Sequence, residues 1–444
     1  MFSRCSLRLV CLLSLVSAPA ASADFEAERA ANWHQWRGPE ATGVAPEGNP
    51  PFEWSESKNV KWKVEIPGHG KSTPIVWGNR VFVITAIDTG KVVEGQAKPE
   101  DQPDRPFGIK YPNTLFRFVV LCLDRENGKI LWERTAAEEL PHEGHHGDNS
   151  HATASPTTDG RYLYVSFGSR GLYCYDLAGE RRWKRQLPAV ETRLSFGEGS
   201  SPVISGDVLL LNRDNETDSH LLALNAQTGD ILWQAQRDEI SAWATPLVIE
   251  HGGRTQVITN ASNRVRSYDL ASGEVVWECG GQVSNVTPSP VRFGDHVVCM
   301  SGYKGSSAMS LPLGASGDIT GTDKIAWQYE RDTPYVPSPL LDGERLYFTK
   351  SNSAILTCLD VRTGKPILEA ARLPGLSNIY ASPVAAAGRI YLTGRDGTTL
   401  VLKRADKLEV LATNKLDDAI DASPAIAGNQ FFLRGRRWLY CLQE

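Results

Sequence analysis

The chain has 444 residues, 41% of them hydrophobic and 22% charged, with a formal net charge of −5. That composition is ordinary for a globular protein, and the slight acidity argues against nucleic-acid binding by bulk electrostatics. A single hydrophobic core usually stops growing near ~250–300 residues, so this length predicts either several domains or a repeat array in which each unit needs only its neighbours.

Read from the amino terminus, residues 1–23 predict a secretory signal peptide: Arg4 and Arg8, an apolar run from Leu9 to Val16, then Ala21-Ser22-Ala23 before Asp24. Cys11 does not read as a lipid-attachment site, because Val10 precedes it where a small residue is wanted. No later segment approaches the ~20 apolar residues needed to span a bilayer. The protein is therefore expected to be exported, either periplasmic or extracellular. Residues 24–58 form a leader segment that contains NWHQWRGP, Asn32 to Pro39, and NVKWKVEI around Trp62 follows as an isolated strand.

From there a small hydroxylated residue and a proline open a hydrophobic strand eight times: Thr73-Pro74, Ser155-Pro156, Ser201-Pro202, Thr245-Pro246, Thr287-Pro288 with Ser289-Pro290 as a second phase, Ser338-Pro339, Ser382-Pro383 and Ser423-Pro424. Most openings lie about 41 to 46 residues apart, the length of one four-stranded propeller blade. Proline cannot donate to a ladder, so each one marks an edge strand, and in a propeller the edge at the channel is the innermost strand. Between openings a second signature recurs, as in CLDRENGKILW ending at Trp132 and SYDLASGEVVW ending at Trp277. Asp or Asn can hydrogen-bond its own turn and Gly accepts a positive φ, so this segment is a hairpin. The Trp closing it offers a large apolar face to the next blade. The last unit, SPAIAGNQFFLRGRRWLYCLQE, lacks its outer strand, and the strand around Trp62 supplies it. The predicted fold is all-β, an eight-bladed propeller of four-stranded antiparallel blades over residues 59–444, closed by the N-terminal strand joining the C-terminal blade.

These repeats resemble the pyrroloquinoline-quinone-like (PQQ-like) β-propeller repeat family, and NWHQWRGP is similar to the leader that many secreted members carry. The resemblance implies the fold and leaves function open between quinoprotein dehydrogenases and an outer-membrane assembly scaffold. Dehydrogenases of the family grip the quinone with adjacent disulfide-bonded cysteines, a Trp platform and a calcium ion. This chain has no Cys-Cys pair and no residue-by-residue match to the calcium ligands, so PQQ is not expected. Cys122, Cys174, Cys358 and Cys441 share one repeat position on different blades, too far apart for the ~4.4–6.8 Å Cα separation of a disulfide. They are expected as buried thiols, and only Cys279 and Cys299 remain conceivable as a pair.

Function in a repeat ring is expected where the repeat breaks, since loops vary while strands hold the scaffold. The breaks are an insertion over residues 88–116 in the first blade and the loop ELPHEGHHGDNSHATASP that follows its Trp strand, and both should crown one face. His142-Glu143-Gly144-His145-His146 matches H-E-x-x-H, but Pro141, Gly144 and Gly147 oppose the helix that motif needs. A divalent metal held otherwise by His145, His146, Asp148 or His151 is the metal candidate. GHGKST, Gly68 to Thr73, lacks the first glycine of a phosphate loop and leads into a strand. GDITGTDK, with Asp318 and Asp323, offers oxygen donors without a calcium-loop spacing.

Channel-mouth positions give the ligand candidates. Three places before each opening proline stand Lys71, Thr153, Gly199, Trp243, Asn285, Val336, Tyr380 and Asp421, joined by Glu198 and Tyr335 one place earlier in their repeats. With His151 and Arg193 nearby, this group predicts a pocket of convergent polar and aromatic side chains. The functional expectation is an exported binding or scaffold protein that presents this face to a small ligand, glycan or protein partner. The alternative is a quinoprotein-like or metal-dependent oxidoreductase using the same mouth.

Overall fold

A computed structural model describes residues 25–444; the signal-peptide signature lies outside the described residues. Eight antiparallel sheets follow one another around a channel, and seven of them have four strands. In the first blade the strand Ile75–Trp77 lies innermost and Ile130–Glu139 outermost. Ring closure is as expected: Val60–Glu65 pairs antiparallel with Trp438–Leu442, running from Val60 opposite Leu442 to Glu65 opposite Trp438. Among the described residues no helix is long and apolar enough to cross a membrane.

The outer-strand tryptophans join neighbouring blades. Trp62 donates its indole N–H to Arg125 O at 2.9 Å, Trp132 to Leu177 O at 3.1 Å, Trp183 to Ala226 O at 2.8 Å and Trp327 to Val361 O at 2.7 Å. Each acceptor lies in the hairpin turn of the next blade. The glycine of that turn has to be glycine: Gly179 has φ +90° and a Cβ there would stand 2.7 Å from the Trp132 ring. Trp277 departs from the pattern and donates to Gln256 Oε1 within its own blade. Gly317–Asp318, from the GDITGTDK segment, adds a fifth strand parallel to Val275–Cys279 in that blade, with Asp318 held by Arg264 at 2.8 Å. The candidate cation loop is thus an edge strand fixed by an ion pair.

The opening hydroxyls explain the repeat physically. Thr73 N–H bonds Ser155 Oγ, Ser155 N–H bonds Ser201 Oγ, and the relay runs through Thr245, Ser289, Ser338 and Ser382 to Ser423, each step between 2.8 and 3.2 Å. Thr73 closes the circle by donating its hydroxyl to Ser423 O at 3.1 Å. Each blade thereby satisfies a backbone N–H of the blade before it, at a place where no ladder can. The relay settles the phase in the fifth blade: Ser289-Pro290 is its opening, not Thr287-Pro288.

The leader is the second structural device. Trp33 and Val76 exchange backbone bonds at 2.9 and 3.1 Å; further on, Leu341 N–H reaches Thr42 O at 3.0 Å and Ala45 N–H reaches Ala385 O at 2.9 Å. The segment crosses the face opposite the crowned one and straps the first and second blades to the sixth, seventh and eighth. All six cysteines from Cys122 to Cys441 are buried free thiols, Cys279 and Cys299 included.

Candidate functional site

The crowned face holds a cup of about 320 Å³ over the channel. Its wall is set by strand equivalence: every position three residues before an opening proline lines it, once Ser289-Pro290 is taken for the fifth blade. Thr287 therefore replaces Asn285, which is 2% exposed and sits behind Tyr335. Ser155, Ser201, Thr245, Ser289, Ser382 and Ser423 of the hydroxyl relay form its lower wall. The floor is Trp36 of the leader, whose indole N–H bonds Ser289 Oγ at 2.9 Å. Phe107, at the tip of the insertion, meets His146 and Phe196 edge-on at 5.1 and 5.3 Å and completes the mouth. The flanks of the predicted insertion are strand, since Arg80–Val92 and Thr114–Asp124 pair as far as Val92 opposite Thr114.

A charge network runs along one side. Lys71 Nζ lies 2.7 Å from Asp421 Oδ2, and Arg395 bonds Asp421 Oδ1 at 2.6 Å and Asp148 Oδ1 at 2.8 Å. Tyr380 donates its hydroxyl to Asp148 Oδ2 at 2.6 Å, beneath the Arg395 guanidinium at 4.2 Å from its ring centre. Burial alone would raise the Asp148 carboxyl, but Tyr380 and Arg395 hold it below the usual carboxylate range. Burial and the neighbouring carboxylate push the Tyr380 phenol up, so it remains a donor. Two cations meet two carboxylates, leaving the cup near neutral. Opposite stand Trp243, Tyr303 and Tyr335, the two tyrosine rings 4.8 Å apart.

Of the expected ligand group, Lys71, Trp243, Tyr335, Tyr380 and Asp421 converge on the cup. His151 and Glu198 open instead into a smaller cleft of about 60 Å³ beside it. There Glu198 accepts the Ser169 N–H at 2.6 Å and lies 3.6 Å from Arg213. Arg193 lines neither; its backbone N–H is held by Ser241 Oγ at 2.8 Å.

The four metal candidates divide into two pairs. His145 and His151 meet edge to face at 4.7 Å, whereas His146 faces Asp148 at 3.5 Å. His146 Nδ1 accepts the Asp148 N–H at 3.1 Å, and the Asp148 carboxylate is already engaged by Tyr380 and Arg395. Among the described residues no three His, Cys, Asp or Glu side chains gather as a metal cluster. H-E-x-x-H is non-helical here, and its Glu143 turns into the smaller cleft, where Thr192 bonds both of its oxygens at 2.7 and 3.2 Å. Burial pushes that carboxyl up to about 7.

Sequence reasoning missed Arg395, Trp36, Phe107, Phe196 and Tyr303. Arg395 lies in a GRDG turn past the strand Arg389–Thr393, a repeat offset at which other blades carry no common residue type. Trp36 carried a signal, a second tryptophan in the leader, but nothing in the sequence says that it faces the channel.

A family model described as outer membrane protein assembly factor BamB matches residues 117–370, more than half of the chain. Among solved structures, BamB from Moraxella catarrhalis is 13% identical with a TM-score of 0.58, over 86% of this chain and 96% of that one. The quinohemoprotein alcohol dehydrogenase ADHIIG from Pseudomonas putida HK5 is 10% identical with a TM-score of 0.59, over 96% and 82%. The C-terminal WD40 domain of Sif2 is 9% identical with a TM-score of 0.52, over 74% and 92%. At these identities the likeness extends to the fold alone. No curated protein matches the chain. The matched family model, the relay of blade openings and the tryptophan-to-turn contacts together identify the chain as a member of the PQQ-like β-propeller repeat family.

Proposed function

We infer that the protein is an exported binding protein whose cup takes up a small molecule of one or two rings, without net charge and carrying hydrogen-bond acceptors. The observation that carries this reading is the composition of the cup: seven aromatic side chains, one from the leader and six from the blades and their connections, around a charge-balanced network, over hydroxyls of the relay. A space of about 320 Å³ corresponds to roughly ten waters at ~30 Å³ each, which suits a ligand of that size. Export rests on the N-terminal signature at residues 1–23.

The quinone that the family implies does not fit these residues. It is a tricarboxylate, and Asp148 and Asp421 face the same space while Lys71 and Arg395 are occupied in neutralising them.

The test is a thermal-shift panel of monosaccharides, disaccharides, nucleosides and neutral bicyclic heteroaromatics against the wild-type chain and Val336→Trp, which fills the cup from its wall. The reading expects at least one probe class to raise the wild-type melting temperature with no response in the variant. Equal responses in both proteins, or none from any class, would overturn it.

A further inference from the structure

The face opposite the cup carries a groove of about 1080 Å³, lined by the leader and the Asp159–Tyr162 turn of the second blade on one side and the inner strands of the third to fifth blades on the other. In a propeller blade the residue two places after the opening proline sits between two ladder-bonded pairs, so its N–H and C=O point away from the sheet toward the channel axis. The leader uses these groups. Val76 N–H bonds Trp33 O, Thr158 N–H bonds His34 O, Leu341 N–H bonds Thr42 O and Ala385 N–H bonds Gly43 O, all between 2.9 and 3.0 Å. At the eighth blade it bonds the turn instead, Asn49 N–H to Gly428 O at 3.0 Å.

Ile204, Val248 and Arg292 are the same positions in the third, fourth and fifth blades. Their register, opposite Leu209, Val257 and Val297, leaves the N–H outward, and among the described residues no backbone carbonyl receives it. All three line the groove. We propose that this groove binds an extended peptide segment of another protein, which bridges the inner strands of the third to fifth blades as the leader bridges the others.

The leader fixes the chemistry of the occupant. It meets each strand at an isolated main-chain bond, from the carbonyls of Trp33, His34, Thr42 and Gly43 with turns between them, so the occupant is likewise a peptide that gives one backbone carbonyl to each strand. Pro202, Pro246, Leu247 and Ile249 give the groove an apolar bed. Arg29 already pairs with Glu26 and Glu40, which leaves Glu28, Asp159, Asp207 and Glu250 against Arg37, Arg161 and Arg292. That acidic excess selects a peptide with apolar residues at its centre and basic residues at its ends.

The test selects binders from a random nonapeptide library on the intact protein, then follows backbone hydrogen exchange with the enriched peptides in synthetic form. The proposal expects apolar peptides with basic ends, slowed exchange at Ile204, Val248 and Arg292, and loss of binding in Val248→Pro but not in Val248→Ala. Proline there removes the outward N–H while leaving the ladder bonds intact, because the pair with Val257 is not ladder-bonded. Exchange in the unmodified protein reads the site even if the proline variant fails to fold. No enrichment, protection at other amides, or protection of these three that rises with protein concentration alone would overturn the proposal, the last in favour of a second copy of this chain.

Discussion

Removing one hydroxyl of the relay is expected to weaken the whole ring by a definable amount. In Ser201→Ala the N–H of Ser155, a residue 1% exposed at the lower wall of the cup, loses its acceptor. Leaving a buried donor unsatisfied costs about 1–3 kcal/mol. With an unfolding entropy of ~2.1 cal/mol/K per residue, the 420 described residues give roughly 0.9 kcal/mol/K, so the melting temperature should fall by about 1–3 °C. Ser382→Ala removes the acceptor of Ser338 N–H across the channel and should cost a similar amount. The two sites share no partner, so the double variant should add within ~0.5 kcal/mol. Scanning calorimetry and urea titration measure both quantities, with Ser57→Ala on the exposed leader as reference. If the ring variants cost no more than Ser57→Ala, the relay is not what joins the blades.

Further outcomes follow from buried charges and thiols. Asp214→Ala should cost about 3–5 kcal/mol, since it strands Arg237, whose side chain and that of Asp214 are both 0% exposed and 2.6 Å apart; urea unfolding reads this. Stability against pH should be greatest near about pH 6.5. His34 and His151, depressed by burial to about 3, contribute stability that is present above the ordinary histidine value and lost as pH falls toward 3. Glu143 and Glu239, raised by burial to about 7, contribute stability that is present below the ordinary glutamate value and lost as pH rises through 7. His69, His145 and His220, also depressed by burial, add to the histidine trend, so stability should rise with pH up to about 6.5 and fall beyond it; a urea midpoint that climbs steadily from pH 5 to pH 8 would contradict these assignments. A thiol reagent should find none of the six cysteines from Cys122 to Cys441 in the native protein and all six after denaturation, with no change in mass on reduction.

The fold was legible because propeller physics writes itself into every repeat. Proline marks the strand that cannot pair inward, the preceding hydroxyl bonds the neighbouring blade, and Trp over Gly joins outer strands, so three signals recur at fixed offsets. The fifth blade shows the limit of that logic. Thr287-Pro288 and Ser289-Pro290 are equivalent as sequence, and only the hydroxyl relay distinguishes them, which is why Asn285 was placed at the mouth and Thr287 was not. Cup residues at the fixed offset before an opening proline obeyed the repeat; those elsewhere in the connections did not. Glu198 and His151 face the smaller cleft instead of the cup because Ser169 and Arg213 capture one and His145 and Phe116 pack the other. Arg395 and Trp36 act through contacts between segments far apart in the chain, and no local pattern encodes those.

Native mass spectrometry of the wild-type protein and Val336→Trp, purified side by side from the same host, tests the cup most directly. A small-molecule adduct is expected on the wild-type chain, released on denaturation, and none on the variant. The same adduct on both chains, or a wild-type chain that stays bare and also ignores every class of the ligand panel, would contradict it.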